Sequence, residues 1–387
     1  MHFRTRLGWR NKRPDAPPPS VAAARADSRD DTNGAVVAIS HVTKRLDDHL
    51  AVDDISFTIG EGELFALIGP SGSGKTSTVR LICGIYAPDS GSIRLFSQTG
   101  APWPRALKNR FGYMPQGYSL YPRMTAVENL RYAAALHGVD HATTARRVVD
   151  LLDLVDLADQ RHRLAGEMSG GQRRRLALAT ALTHDPALLF IDEPTAGLDP
   201  ALRVRLWTYF RQLARDGRTV VVTTQYIDEA ELTDRVAIMR SARLAALGTP
   251  NEIARAAFGG EIVELRSPNL TAQAARALSE LEGVSSVSFT NLETLQVVVD
   301  VAEVAAPRLL AALVRWGCTV NAIGLRRPRF EDVFLRLTGV VARAETAAED
   351  DEPAESRPHD APAADDERTG VEEPAAEQDR DGTQDGE

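Results

Sequence analysis

The chain has 387 residues, 43% hydrophobic and 26% charged, with two cysteines and a formal net charge of −9. Its length allows two or three folded units, and its composition is that of ordinary globular proteins, so a small disulfide-stapled module is excluded. No run of 18 apolar residues spans a bilayer, and the start MHFRTRLGWRNKR lacks the apolar segment of a secretory signal. The cysteines, Cys83 and Cys318, lie far apart without metal-like spacing, which fits a reducing, cytosolic compartment. The acidity is local: residues 341–387 hold 17 Asp and Glu against 4 Arg, a net of −13, which leaves +4 for residues 1–340. Nothing in that tail can bury enough apolar surface to offset the entropy of ordering, so it is expected to be disordered, as an interaction tail or a solubilising extension. Residues 1–34 read as a disordered basic leader, with five basic and no acidic residues among the first 13. It suits either a contact with an anionic membrane surface or a plain flexible leader.

In chain order, strands are predicted at Val36 to Val42, Ile55 to Ile59, Leu64 to Ile68, Ser92 to Leu95, Phe111 to Met114, Leu188 to Ile191, Thr219 to Thr223 and Arg235 to Met239. Alternating with helical periodicity over residues 35–258, they predict a mixed α/β core. Ala126 to His137, Thr143 to Leu152 and Gln172 to Leu182 read as helices, so residues 117–185 form a helical insert. Past Gly259 the pattern becomes strand Ile262 to Leu265, helix Thr271 to Leu281, strands Val284 to Phe289 and Thr294 to Val299, helix Ala305 to Arg315 and strand Thr319 to Gly324. This β-α-β-β-α-β order predicts a small split-βαβ α+β domain over residues 259–340, closed by a helix from Phe330 to Leu337. It shows no catalytic constellation, and a stabilising or dimer-supporting appendage is preferred to a ligand sensor.

The segment FALIGPSGSGKTSTVRLI sets Gly69, Gly74, Lys75 and Thr76 in the spacing G-x-x-x-x-G-K-[ST], after an apolar strand and before a helix. In such a loop Gly69, Ser71, Gly72, Ser73, Gly74 and Ser77 cradle phosphates with backbone N–H groups, helped by the helix dipole, and Pro70, which has no N–H, belongs to the same binding stretch. Lys75 brings a positive charge to the β and γ phosphates, and Thr76 offers a hydroxyl to Mg²⁺. A second apolar strand, ALLFIDEP, ends in two acids at a sheet edge where ligands sit. Asp192 suits Mg²⁺ there, and Glu193 suits polarisation of an attacking water.

These residues resemble the nucleotide-binding subunits of ABC transporters over Ala35 to Phe258, which makes the expected fold a P-loop NTPase of ABC type. MSGGQRRRLALATAL from Met168 resembles the family's signature motif, about 20 residues before the Asp-Glu pair; YMPQ, ending in Gln116, is similar to its glutamine loop. AGLDP resembles its D-loop, and VTTQYIDEAE its switch segment. The resemblance implies an ATP- and Mg²⁺-dependent ATPase whose domains pair head to tail, a homodimer in the complex. ATP on Lys75 and Thr76 of one copy would be capped by Ser169, Gly170, Gly171 and Gln172 of the other. Gln116 would sense the γ phosphate and Mg²⁺ and begin the insert that meets a separate transmembrane permease. Asp199 would link the two sites, and the subunit would sit peripherally on the cytoplasmic face of the membrane.

Three positions depart from the family pattern. Gln225 stands where a switch histidine is usual, and it can donate a hydrogen bond but carry no proton. Leu46 replaces an aromatic residue that stacks on adenine, and Met168 replaces Leu with little change of volume. The closing segment RRPRFEDVFLRLTG, with GLDP and YIDEAE, resembles the branch that exports drugs, polyketides or lipids, the daunorubicin-resistance type. An importer ATPase, or a non-transport ATPase acting on ribosomes or DNA, are the other readings. One phosphate loop and no sustained heptads speak against the latter. Direct nucleic-acid binding is not expected, since the basic run Arg173 to Arg175 falls on the signature helix, as a motif feature or a solvated face.

Overall fold

The computed structural model describes residues 34–338 apart from 118, so the expected leader and tail lie outside the described residues. A long hairpin opens the fold, β1 (Ala35–Leu46) and β2 (His49–Gly60), turning over Asp47 and Asp48. Then follow β3 (Leu64–Ile68), α1 (Lys75–Ile82), β4 (Ser90–Leu95), β5 (Gln98–Thr99), α2 (Arg105–Lys108) and β6 (Phe111–Met114). Three helices come next: α3 (Ala126–Leu136), α4 (His141–Leu154) and α5 (Gly170–Leu182). The core closes with β7 (Leu188–Asp192), α6 (Pro200–Arg215), β8 (Thr219–Thr224), β9 (Arg235–Arg240), β10 (Arg243–Gly248) and α7 (Pro250–Phe258). Each helix of the insert starts where a polar side chain caps its free N–H groups: Thr125 with Glu128, Asp140, and Ser169 with Gln172.

The central sheet runs β10-β9-β3-β8-β7-β6, parallel except for the β9–β10 hairpin. β3, β7 and β8 are buried on both faces, which is why they read as apolar runs, whereas the edge strand β10 is partly exposed. Along β7, Leu189 and Ile191 join the core beneath α3 to α6, while Leu188 and Phe190 join a second core. That second core is shared with α1 and a separate antiparallel sheet, β2-β1-β4-β5.

The C-terminal elements are β11 (Glu261–Arg266), α8 (Ala272–Ser279), β12 (Val284–Asn291), β13 (Thr294–Val299), α9 (Ala302–Arg315), β14 (Ala322–Arg326) and α10 (Phe330–Thr338). They form the expected β-α-β-β-α-β order, with an antiparallel sheet β12-β13-β11-β14 whose inner face packs on α8 and α9. Helix α10 leaves this unit: Phe330, Val333 and Phe334 pack with Ala66 and Ile68 of β3 and with Ala230, Val236 and Ile238. The differences from the sequence reading are local. β5, α2, β10, α6 and α7 add to the predicted elements, the first hairpin is longer, and the last strand starts at Ala322 rather than Thr319. The Asn269 side chain explains that shift, because its Oδ1 accepts the Thr319 N–H at 2.8 Å and holds that stretch as loop.

Candidate functional site

Parallel strands place their carboxyl ends on one edge, and four of them deliver polar residues there. β3 runs into the Gly69–Gly74 loop, β6 into Gln116, β7 into Asp192 and Glu193, and β8 into Gln225. A 270 Å³ cavity opens among them, lined by Ser71, Gly72, Ser73, Gly74, Lys75, Thr76 and Ser77, by Gln116 and Glu193, and by Leu46, His49 and Ala51. Leu46 and His49 reach it as partners across the hairpin turn of β1 and β2.

Two glycines in the loop are obligatory on geometry. A Cβ on Gly69, at φ 154°, would stand 2.3 Å from the Met239 carbonyl oxygen, and one on Gly74, at φ 104°, 2.5 Å from the Ala51 oxygen. Gly69 and Pro70 do not line the cavity, but their carbonyls accept from Lys75 Nζ at 2.8 and 3.0 Å. Burial lowers the Lys75 ammonium pKa below its ordinary value, while Glu193 and Asp192 pull it back up. Ser73 Oγ is buried without a hydrogen-bond partner.

Asp192 is fully buried. Its Oδ1 accepts from Thr76 Oγ1 at 3.1 Å and from Thr223 Oγ1, and its Oδ2 has no partner. A buried carboxylate oxygen without a donor, beside a threonine hydroxyl, is a hard-oxygen set that suits Mg²⁺, an ion that takes one or two protein oxygens and completes its shell with phosphate and water. Glu193 follows at φ 53°, a conformation costly for a residue with a Cβ. Its N–H is held by the Thr223 carbonyl at 2.9 Å and hydroxyl at 3.2 Å, and its Oε2 accepts from Gln116 Nε2 at 3.3 Å. The Gln225 side chain reaches the phosphate loop, with Oε1 accepting from Ser71 Oγ at 3.5 Å.

The signature residues are not among those lining this cavity. Ser169 caps α5: its hydroxyl accepts the Gln172 N–H at 3.2 Å, and Gln172 Oε1 accepts the Ser169 N–H at 2.9 Å. Ser169 thus keeps its own proton to donate. A Cβ on Gly171 would meet the Gly197 oxygen at 3.9 Å, and Arg174 Nη1 donates to the Ala196 oxygen at 3.3 Å, so the signature helix abuts AGLDP. Asp199 in that segment caps α6 by accepting the Leu202 N–H at 3.0 Å. The basic run is not a solvated face, since Arg175 Nη1 donates to the Val155 and Asp156 carbonyls at 3.0 Å and pairs with the Asp156 carboxylate at 3.1 Å. Met168 is buried in the helical core. Thr223 was read only as the end of a strand within the switch-like segment, and its contacts with Asp192 and Glu193 went unread, because a threonine in a strand signals only β propensity.

This arrangement has known counterparts. Residues 52–196 match the family model described as "ABC transporter". The chain is 38% identical over 307 residues to a Nod factor export ATP-binding protein I of Burkholderia pseudomallei, an alignment covering 79% of this chain and 97% of that one. It is 35% identical over 310 residues to the daunorubicin/doxorubicin resistance ATP-binding protein of Streptomyces peucetius, covering 79% and 93%. Among solved structures, it is similar to a dimeric ATP-binding cassette in a post-hydrolysis state bound to ADP and phosphate, with 25% identity and a TM-score of 0.52 over 55% of this chain and 98% of that one. A phosphate loop, an Asp-Glu pair on the neighbouring strand end and matches along nearly the whole length of its relatives agree: the chain belongs to the ABC transporter family, as an ATP-binding ATPase subunit.

Proposed function

We propose that this subunit powers an exporter by closing on a second copy of itself around ATP. The observation that carries the reading is the separation of the two halves of the site within one chain. The cavity holds the phosphate loop, Gln116 and Glu193, while Ser169, Gly170, Gly171 and Gln172 sit at a helix start outside its lining. A serine with a free hydroxyl proton at a helix N-terminus suits the γ phosphate, and a partner copy brings it to the cavity of the first. Gly69 to Ser77 wrap the phosphates, with Lys75 supplying charge. Thr76, Asp192 and Gln116 would hold Mg²⁺, which when bound neutralises phosphate charge. Glu193 accepts a proton from the attacking water, the terminal phosphoryl group passes to that water, and ADP is left. Gln225 steadies the γ phosphate by hydrogen bonding alone. Asp199, at the start of α6 beside the signature helix, links the two sites of the dimer.

A second cavity of 540 Å³ lies between the core and the insert, with exposed Ile85, Tyr121, Tyr132 and Leu136 in its lining. An apolar groove of this kind suits a helix of the separate permease. No helix among the described residues is long and apolar enough to cross a membrane. In this reading the subunit attaches peripherally at the cytoplasmic face of the membrane through that groove. The substrate class is a drug, polyketide or lipid-like compound, a reading supported by relatives named for Nod factor export and for daunorubicin/doxorubicin resistance.

Pull-down of tagged Glu193→Gln from solubilised membranes, with and without ATP, tests the reading. A self-associated subunit with a polytopic protein, enriched by ATP, supports it. Recovery of ribosomes or DNA complexes without a membrane protein sinks it.

A further inference from the structure

Gln225 is the first residue beyond β8, and a single buried hydroxyl fixes the backbone on both its flanks. Thr224 accepts the Tyr226 N–H at Oγ1 (3.0 Å) and donates from the same atom to Glu229 Oε2 (2.6 Å). A hydroxyl has one proton, so the bond to Glu229 sets the rotor that presents a lone pair to Tyr226. Thr224 is fully buried and Glu229 is 1% exposed. A carboxylate taken this far from water requires donors and a counter-charge. Glu229 has both: Arg203 Nε at 2.6 Å and Trp207 Nε1 at 3.1 Å, both to Oε1, in addition to Thr224. The Arg203 guanidinium also lies 4.4 Å from the centre of the Tyr226 ring, so it grips the chain on the far side of Gln225.

Arg203 and Trp207 are four residues apart on α6 and therefore share a face. That helix starts at the Asp199 cap, in the segment that abuts the signature helix. A continuous chain of directed bonds thus runs from α6 through Glu229 and Thr224 to the backbone on either side of Gln225. Both oxygens of Glu229 and the Thr224 hydroxyl have partners, and a buried network satisfied at these two residues holds one geometry, which is what a neutral side chain needs if it acts by hydrogen bonding alone.

We propose that Thr224 and Glu229 are positioning residues for Gln225, tying its placement to α6. The proposal rests on the reading of Gln225 as the residue that steadies the γ phosphate. A role confined to packing would lower stability and act independently of Gln225, whereas a positioning role is lost once Gln225 is gone.

Steady-state ATP hydrolysis by the full chain separates these cases through single and double variants. Thr224→Val is expected to lower kcat about tenfold with the ATP KM changed by less than about twofold, and Thr224→Ser to restore kcat to within about twofold of the parent. The double variant Thr224→Val/Gln225→Ala should be no slower than Gln225→Ala alone. Glu229→Gln keeps the shape, removes the charge that orders Arg203, and answers the question where Thr224→Val does not fold. It too should add nothing to Gln225→Ala. The proposal is overturned if either single variant keeps the parent kcat, or if its loss multiplies in full with that of Gln225→Ala. A different result, a Gln225→Ala protein with parent kcat, removes the reading of Gln225 itself.

Discussion

The central and the C-terminal sheets differ in how they use a row of paired residues. In the central sheet the row Val236, Ala66, Val222, Ile191 and Met114 crosses five strands and is at most 1% exposed throughout. One step further along, the row becomes Leu67, Thr223 and Asp192, and the next residues are Thr224 and Glu193. Polar chemistry therefore starts abruptly at the strand ends, supported from behind by an apolar wall. In the C-terminal sheet the row Ser288, Gln296, Glu264 and Gly324 is small or polar from edge to edge. It faces away from Val263, Leu265, Val297 and the helices. The first sheet concentrates its polar groups at one edge where a ligand can be gripped, and the second spreads them over a face. Rigidity at a site comes from burial on both sides, and the C-terminal sheet has burial on only one.

The two regions are joined through α10, and breaking that joint has the largest expected effect. Phe330 is 2% exposed, packs in the cluster with Ala66 and Ile68, and its N–H is accepted by Glu231 Oε1 at 3.2 Å. Phe330→Ala should cost about 3–5 kcal/mol of unfolding free energy in a denaturant titration. Because β3 carries the phosphate loop, protection of the nucleotide-binding half should fall along with that of the C-terminal half. A transition of the central sheet left unmoved by Phe330→Ala would mean that the two regions fold as independent bodies.

Turnover sharpens the same contrast. Glu193→Gln removes the group proposed to accept the proton of water and should lower kcat by about 100-fold or more, while ATP is still bound. Ser288→Lys, on the open face of the second sheet, should leave kcat within about twofold and stability within about 0.5 kcal/mol. Equal effects at the two positions would contradict the assignment of the chemistry to the strand ends.

The sequence carried much of this because burial on both faces writes itself as apolar runs: LFALI, LLFID and TVVVTT are recognisable without a structure. The phosphate loop was legible for the same local reason, since its glycines and lysine act within eight residues of one another. β10 was not, because the hairpin before it turns on Ser241 and Ala242, at φ 48° and 67°, where no glycine or asparagine marks the turn. Thr223, Thr224 and Glu229 lay within the switch-like segment VTTQYIDEAE, yet their roles were silent, because the partners that define them, such as Asp192, Arg203 and Trp207, lie on other elements.

A smaller effect is expected from pH. His184 lies beside His137 in the groove between core and insert, with ring centres 3.6 Å apart. Burial, reinforced by the His137 charge, lowers its pKa to about 4, and its Nε2 donates to the Phe111 carbonyl. The folded state therefore binds fewer protons than the unfolded chain between about pH 6.5 and 4. Stability contributed by neutral His184 is present above that window and is lost as pH falls through it. Melting temperatures across the window should drop less steeply for His184→Asn than for the parent; parallel curves would show that this histidine does not govern acid sensitivity.

The smallest expected change concerns the mouth of the nucleotide cavity. Leu46 and His49 line it from the tip of the first hairpin, and neither presents a broad aromatic face comparable to tyrosine. An adenine ring resting there gains contact area but little stacking. Leu46→Tyr should therefore tighten ATP by about 1 kcal/mol, roughly fivefold in Kd. The gain should appear equally with ADP and leave kcat unaltered, because adenine does not change during phosphoryl transfer and uniform binding does not lower the chemical barrier. An effect on kcat instead would place the hairpin tip within the moving parts of the site, and the comparison between a rigid strand edge and its surroundings would have to be redrawn to include it.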